Sequence, residues 1–166
     1  MKTAIYPGSF DPITLGHLNI VKRAAQVFEK VVVCVMVNSA KRPTFSLEER
    51  VEMIRKVTER FPNVEVDSWD GLLAEYAGRF EGAVVVKGLR AMSDFEAEFQ
   101  MALVNKRINP SLETLFLTAS EKYTYLSSTI VKEMSSYGAD ISEFVPREIL
   151  EAVIEKSQKR KEEKKG

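Results

Sequence analysis

The chain contains one cysteine and one histidine in 166 residues. With a single cysteine, Cys34, an intrachain disulfide framework or a multi-cysteine metal centre is excluded. Cys34 also falls inside the apolar run Val31–Val37, where burial raises a thiol pKa and leaves it inert. No cluster of Asp, His or Cys has metal-ligand spacing. Neither sign of charge is in excess, because 24 basic residues balance 24 acidic ones. The net charge therefore gives no reason to expect a nucleic-acid or membrane partner, although local clusters can still bind phosphate. No apolar run approaches the ~18 residues of a membrane span, and the first residues lack the basic, apolar and cleavage regions of a secretory signal. The cytoplasm is the expected compartment. A dinucleotide-binding GxGxxG is absent, and so is a Walker sequence.

What is present is ordinary in bulk, with 45% hydrophobic and 29% charged residues, enough for one domain with a full core. Short β-branched runs at Thr3–Tyr6, Val31–Val37, Val64–Ser68, Ala83–Lys87 and Thr114–Leu117 alternate with helical patterns at about 18–28, 47–60, 71–79, 94–108 and 128–137. Ser46 with Glu49, and Ser93 with Glu96, read as capping boxes that open two of these helices. A last helix is expected from near Pro146 toward Lys159. The alternation predicts an α/β, doubly wound, Rossmann-like parallel sheet of about five strands flanked by helices, with a C-terminal helix. The expected organisation is a single domain over 1–158, followed by a charged, frayed tail over 159–166. Ligands of such a fold sit beyond the carboxyl ends of the strands, so the loops 7–17, 38–46, 69–71, 88–93 and 118–129 are where function should lie.

Three of these loops have unusual content. GSFDPITLGH, residues 8–17, joins the first strand to a helix expected to open at Gly16-His17, and a helix N-terminus there suits an anion beside the only histidine. KGLRAMSDFEAEF, residues 87–99, sets Lys87 and Arg90 around Gly88, a phosphate-binding combination. EKYTYLSSTIVKE, residues 121–133, places Ser127, Ser128 and Thr129 in a row at a helix start, more hydroxyls than a cap needs, with Lys132 adding charge. Lys41 and Arg42 complete the basic groups near this edge of the sheet.

Together these residues resemble the bacterial phosphopantetheine adenylyltransferases of the nucleotidylyltransferase superfamily. The likeness lies in Thr14-Leu15-Gly16-His17 within YPGSFDPITLGH, in FSLEERV at 45–51, in KGLRAMSDFEAEFQMALVN at 87–105 and in YLSSTIVKE at 125–133. It implies adenylyl transfer from ATP to 4′-phosphopantetheine, giving dephospho-coenzyme A and pyrophosphate in coenzyme A biosynthesis. Mg²⁺ would accompany the nucleotide, and the protein would be a homohexamer. By the same resemblance His17 stabilises the transition state and binds ATP, and Ser9 and Phe10 contact the nucleotide. Ser9 also meets the pantetheine substrate, whose remaining contacts are Lys41, Leu73 and Lys87. Gly88, Leu89, Arg90, Glu98 and the run Tyr123, Thr124, Tyr125, Leu126, Ser127, Ser128 and Thr129 bind ATP.

Lys87 departs from the family, where arginine is usual; it keeps the charge and loses the bidentate fork. Ser9 stands where threonine is also common and retains the hydroxyl. An anionic acceptor phosphate needs no strong base, so His17 reads as a donor to the α-phosphate. Two other readings use many of the same residues: a nucleotidylyltransferase with another acceptor, such as nicotinamide mononucleotide or glycerol phosphate, and a non-catalytic nucleotide-sensing module.

Overall fold

A computed structural model describes residues 3–163, apart from the side chains of Met92 and Ser93. Five strands, β1 (Thr3–Gly8), β2 (Lys30–Val37), β3 (Val64–Asp70), β4 (Val84–Leu89) and β5 (Glu113–Thr118), form one sheet in the order β3-β2-β1-β4-β5. Every pairing is parallel. The inner strands are apolar along their length because both faces are covered: Ala4 and Ile5 of β1 and Val31 to Val35 of β2 are at most 1% exposed.

Helices fill the crossovers: α1 (Leu15–Val27), α2 (Leu47–Thr58), α3 (Leu73–Ala77), α4 (Met92–Ile108), α5 (Ser128–Ser136) and α6 (Leu150–Glu163). Side chains alternate across the sheet, so Tyr6, Val33 and Val86 join Val21, Ile54, Val131 and Val153 in one core. Ile5, Cys34 and Val85 meet Ala74, Tyr76 and Leu112 in a second, smaller core on the other face. Burial among these groups, with Asp67 nearby, pushes the Cys34 thiol up to about 12, so it is inert at neutral pH.

Several expected boundaries move. The first helix begins at Leu15 with Thr14 as its cap, so His17 lies inside the first turn rather than at the opening of the helix. The Ser46–Glu49 capping box is present, with Ser46 Oγ accepting from the Glu49 amide at 3.1 Å and Glu49 Oε2 accepting from the Ser46 amide at 2.7 Å. The Ser93–Glu96 box does not open α4. That helix starts at Met92 behind Ala91, which has no side-chain cap, and the Ser93 side chain itself lies outside the described residues. Asp94 instead accepts from the Arg90 amide at 3.3 Å, drawn back by the guanidinium it also binds. Residues 159–163, expected to fray, continue α6 as helix, and 164–166 lie outside the described residues. Among the described residues no helix is long and apolar enough to cross a membrane.

The chain runs outward from β1 through β2 to β3, then returns to place β4 on the other side of β1. This reversal opens a crevice between β1 and β4 at their carboxyl ends, where an open α/β sheet takes its ligand.

Candidate active site

The loop between β1 and α1 is held from several directions. The Asp11 carboxylate, 6% exposed, accepts from the amides of Thr44 and Phe45 at 2.9 Å each and pairs with Lys132 Nζ at 2.9 Å. Buried Arg50 of α2 donates to the Ser9 carbonyl at 2.9 Å, and Ser128 of α5 donates to the Pro12 carbonyl at 2.7 Å. Between these anchors Phe10 adopts φ +47 and turns its ring inward, edge-on to Tyr6 at 5.2 Å and to His17 at 5.1 Å. The ring lies so close to Gly8 that a Cβ there would meet it at 3.0 Å, which leaves glycine as the residue that fits.

His17 closes a reciprocal cap with Thr14. Thr14 Oγ1 accepts from the His17 amide at 3.2 Å, and His17 Nδ1 accepts from the Thr14 amide at 3.0 Å. The imidazole thus takes the part usually played by Glu or Gln in a capping box. Because an amide can only donate, Nδ1 must carry the lone pair, and the neutral ring holds its proton on Nε2. Burial lowers the His17 pKa to about 4, helped by the positive charges of Arg90 and Lys87. At neutral pH the side chain is therefore an uncharged N–H donor on the wall of the crevice.

Two cations at the end of β4 stand opposite. Lys87 Nζ pairs with Glu98 at 3.2 Å. Arg90 is gripped through Nε and Nη2 by both oxygens of Asp94, at 3.0 and 3.2 Å, and donates through Nη1 to the Leu126 carbonyl at 3.0 Å. Asp94 and Glu98 are one turn apart on α4, so one helix face orients both cations. Gly88 between them lets β4 press on α1, since a Cβ there would lie 3.1 Å from Ile20 Cγ1.

The three hydroxyls at the start of α5 divide their work. Ser127 is the cap, its Oγ accepting from the Ile130 amide at 3.2 Å. Ser128 secures Pro12, as above. Thr129 faces a separate hollow that it shares with Thr44 and Lys132, so Lys132 serves the Asp11 anchor and adds no charge to the crevice. The first-turn amides of α5 that no side chain caps remain suited to an anion.

These elements enclose a cleft of about 290 Å³. It gathers Phe10, His17, Lys87, Gly88, Arg90, Glu98, Tyr123, Leu126, Ser127 and Ser128 from the positions singled out in the sequence. The others do not line it. Ser9 and Lys41 are exposed, Leu73 begins α3 beyond β3, Thr129 lies in the separate hollow, and Leu89, Thr124 and Tyr125 flank the cleft in the chain. Among the wall residues given no role from the sequence are Tyr6, Ile20, Asp94 and Ala119. Tyr6 reads in sequence as a strand residue, whereas Asp94 carried a signal, its spacing of four from Arg90 on a helix.

A cleft at the switch point of a doubly wound sheet, walled by a neutral histidine and two cations, fits the class of nucleotidyltransferases. The profile of the Cytidylyltransferase-like family matches residues 5–134. Phosphopantetheine adenylyltransferase of Caldanaerobacter subterraneus subsp. tengcongensis is 57% identical over 159 residues, 96% of this chain and 99% of that protein. Proteins of the same name from Clostridium tetani and Clostridium botulinum are 54% and 51% identical, over 95% and 98% of this chain and 98% and 99% of their own lengths. The chain belongs to the cytidylyltransferase-like family and, within it, to the phosphopantetheine adenylyltransferases. The fold recurs at much lower identity. The crystal structure of a putative nicotinate-nucleotide adenylyltransferase from Vibrio parahaemolyticus matches with TM-score 0.69 at 17% identity, covering 95% of this chain and 94% of that one. A bifunctional NMN adenylyltransferase/ADP ribose pyrophosphatase from Francisella tularensis matches with TM-score 0.71 at 14% identity, over 99% of this chain and 53% of that one.

Proposed function

We propose that this cleft transfers the adenylyl group of ATP to the phosphate of 4′-phosphopantetheine, releasing pyrophosphate and forming dephospho-coenzyme A. One observation carries the mechanism: the Nε2–H of a neutral His17 shares the cleft with Lys87 and Arg90. The acceptor's phosphate oxygen attacks the α-phosphorus, a new P–O bond forms, and the α–β anhydride bond breaks with its electron pair leaving on pyrophosphate. The attacking oxygen is already anionic, so no proton must be removed. A histidine with a pKa of about 4 is in any case a poor base at neutral pH.

His17 instead donates to an α-phosphoryl oxygen as charge builds there, while Arg90 and the first turn of α5 meet the departing phosphates. Lys87 neutralises the acceptor phosphate, and Asp94 and Glu98 hold the two cations in place. Among the described residues no three His, Cys, Asp or Glu side chains converge as metal ligands, and both cleft carboxylates already face cations. This donor set fits Mg²⁺ held through the phosphates of ATP, where it would neutralise charge on the polyphosphate.

The same reading includes assembly of the chain as a homohexamer in the cytoplasm. Support for association comes from α4, on which Phe99, Met101, Leu103, Val104 and Ile108 are 45–55% exposed. Light scattering at the mass of one chain would refute it. The activity is tested by incubating the protein with ATP, Mg²⁺ and 4′-phosphopantetheine, alongside nicotinamide mononucleotide and glycerol phosphate. Pyrophosphate release with 4′-phosphopantetheine is the expected result. Release with another acceptor alone would overturn the substrate, and ATP binding without turnover on any acceptor would point to a sensing module.

A further inference from the structure

The structure contains two buried tyrosines that differ in how their hydroxyls are satisfied. Tyr76 is fully buried and donates to Asp67 Oδ2 at 2.7 Å, as a buried phenol ordinarily must. Tyr6 is 5% exposed, yet its hydroxyl makes no hydrogen bond with any group among the described residues. It lines the catalytic cleft at the carboxyl end of the central strand β1. Its ring has an evident structural use, edge-on to Phe10 at 5.2 Å and 6.4 Å from the His17 ring. The oxygen has no protein partner and opens onto the cleft, so phenylalanine would keep every contact the ring makes within the protein.

We propose that the Tyr6 hydroxyl is a substrate-binding donor, giving its hydrogen bond to a phosphoryl oxygen held in the cleft beside His17. The inference rests on the reading of the cleft as a site of phosphoryl chemistry. Burial keeps the phenol protonated well above its ordinary range, with Arg90 opposing and Glu98 adding to that shift, so at working pH the group donates. Its surroundings select the partner. Arg90, Lys87 and the His17 N–H line the same cleft, and a negatively charged oxygen is the ligand atom this combination attracts. A donor already fixed on the cleft wall of the free protein needs no reorganisation during reaction, which is how fixed polar groups favour a transition state.

Tyr6→Phe removes this one oxygen and keeps the ring contacts. The expected result is a loss of about 10- to 100-fold in kcat/KM, the effect of one hydrogen bond to a charged acceptor, with Tm unchanged because no hydrogen bond within the protein is lost. Activity within twofold of the parent would overturn the proposal. A fall in Tm alongside the activity would also overturn it, by assigning the hydroxyl to folding. The comparison is made on whichever phosphorylated acceptor the parent protein turns over with ATP. A wrong acceptor in the proposed function and a wrong role for Tyr6 are thereby told apart.

Discussion

Replacing His17 separates its two jobs. In His17→Ala the Thr14 amide loses its acceptor and Phe10 loses an edge-on ring at 5.1 Å. A lost helix cap costs about 1 kcal/mol and a lost aromatic pair about 1 kcal/mol, so the variant should be destabilised by about 2 kcal/mol. For a domain of this size that lowers Tm by about 4–8 °C. The rate should fall separately, by about 10²- to 10³-fold in kcat, the usual result of removing one fixed donor to a developing oxyanion. His17→Gln splits these effects. Glutamine at the third helical position can accept from the Thr14 amide as the second half of a capping box, but it puts no imidazole N–H into the cleft. Most of the cap stability should return while kcat stays as low as in the alanine variant. Pyrophosphate release and thermal melts on both variants give the comparison. A glutamine variant within threefold of the parent kcat would refute the donor role. So would a parent rate that titrates near pH 6.5, the ordinary range of a histidine base.

The depressed His17 pKa has a consequence for stability with a definite sign. Below its ordinary value of 6.5 the unfolded chain takes up a proton that the folded protein refuses until about 4, so stability should fall by at most about 3 kcal/mol as pH drops across that window. The difference between parent and His17→Gln in urea melts from pH 7 to 4 isolates this contribution, and a constant difference would contradict it. Asp11→Asn keeps an acceptor for the Thr44 and Phe45 amides but gives up the Lys132 pair, whereas Asp11→Ala leaves both amides without a partner. Melts should rank alanine below asparagine, with alanine costing about 3–5 kcal/mol. Gly88→Ala should cost about 1–3 kcal/mol through its 3.1 Å approach to Ile20, and its effect in melts should be smaller in an Ile20→Ala background.

The sheet was legible because β2 and β4 carry valine-rich runs, β1 is a short apolar segment, and most connecting segments carry helical spacing. The capping pattern was only half reliable. Ser46 and Glu49 behaved as their spacing implies, but Ser93 is already the second residue of a helix that starts two residues earlier than expected, beside the Arg90–Asp94 pair. Thr14 and His17 escaped the pattern because histidine is not a usual third residue of the box. Lys132 shows the limit most plainly. A cation beside three hydroxyls points to phosphate in sequence, yet its partner is Asp11, 121 residues away, and only folding brings them together. Tyr6 was invisible for the opposite reason, since an aromatic residue in an apolar strand reads as core, and only the missing partner of its hydroxyl distinguishes it.

Most polar groups in the three motifs, with Arg50 of α2, turn inward to each other. Asp11, Arg50, Ser127, Ser128 and Lys132 fix loops; Asp94 and Glu98 fix cations; the Nδ1 edge of His17 fixes a helix start. What is left pointing into the cleft is a short set of donors: the Nε2–H of His17, the Tyr6 hydroxyl, and the positive ends of Lys87 and Arg90. Burial keeps the His17 ring and the Tyr6 phenol as neutral donors, and none of the four is a nucleophile poised by a partner, so the site is built to stabilise charge rather than to form a bond. An anionic acceptor and a good leaving group need only that. Each anchoring residue therefore affects rate through distance: loosening Asp11 should let Phe10 and His17 shift together, lowering kcat more than it weakens ATP binding. A loss of ATP affinity with kcat unchanged in Asp11→Asn would show that the loop serves binding alone.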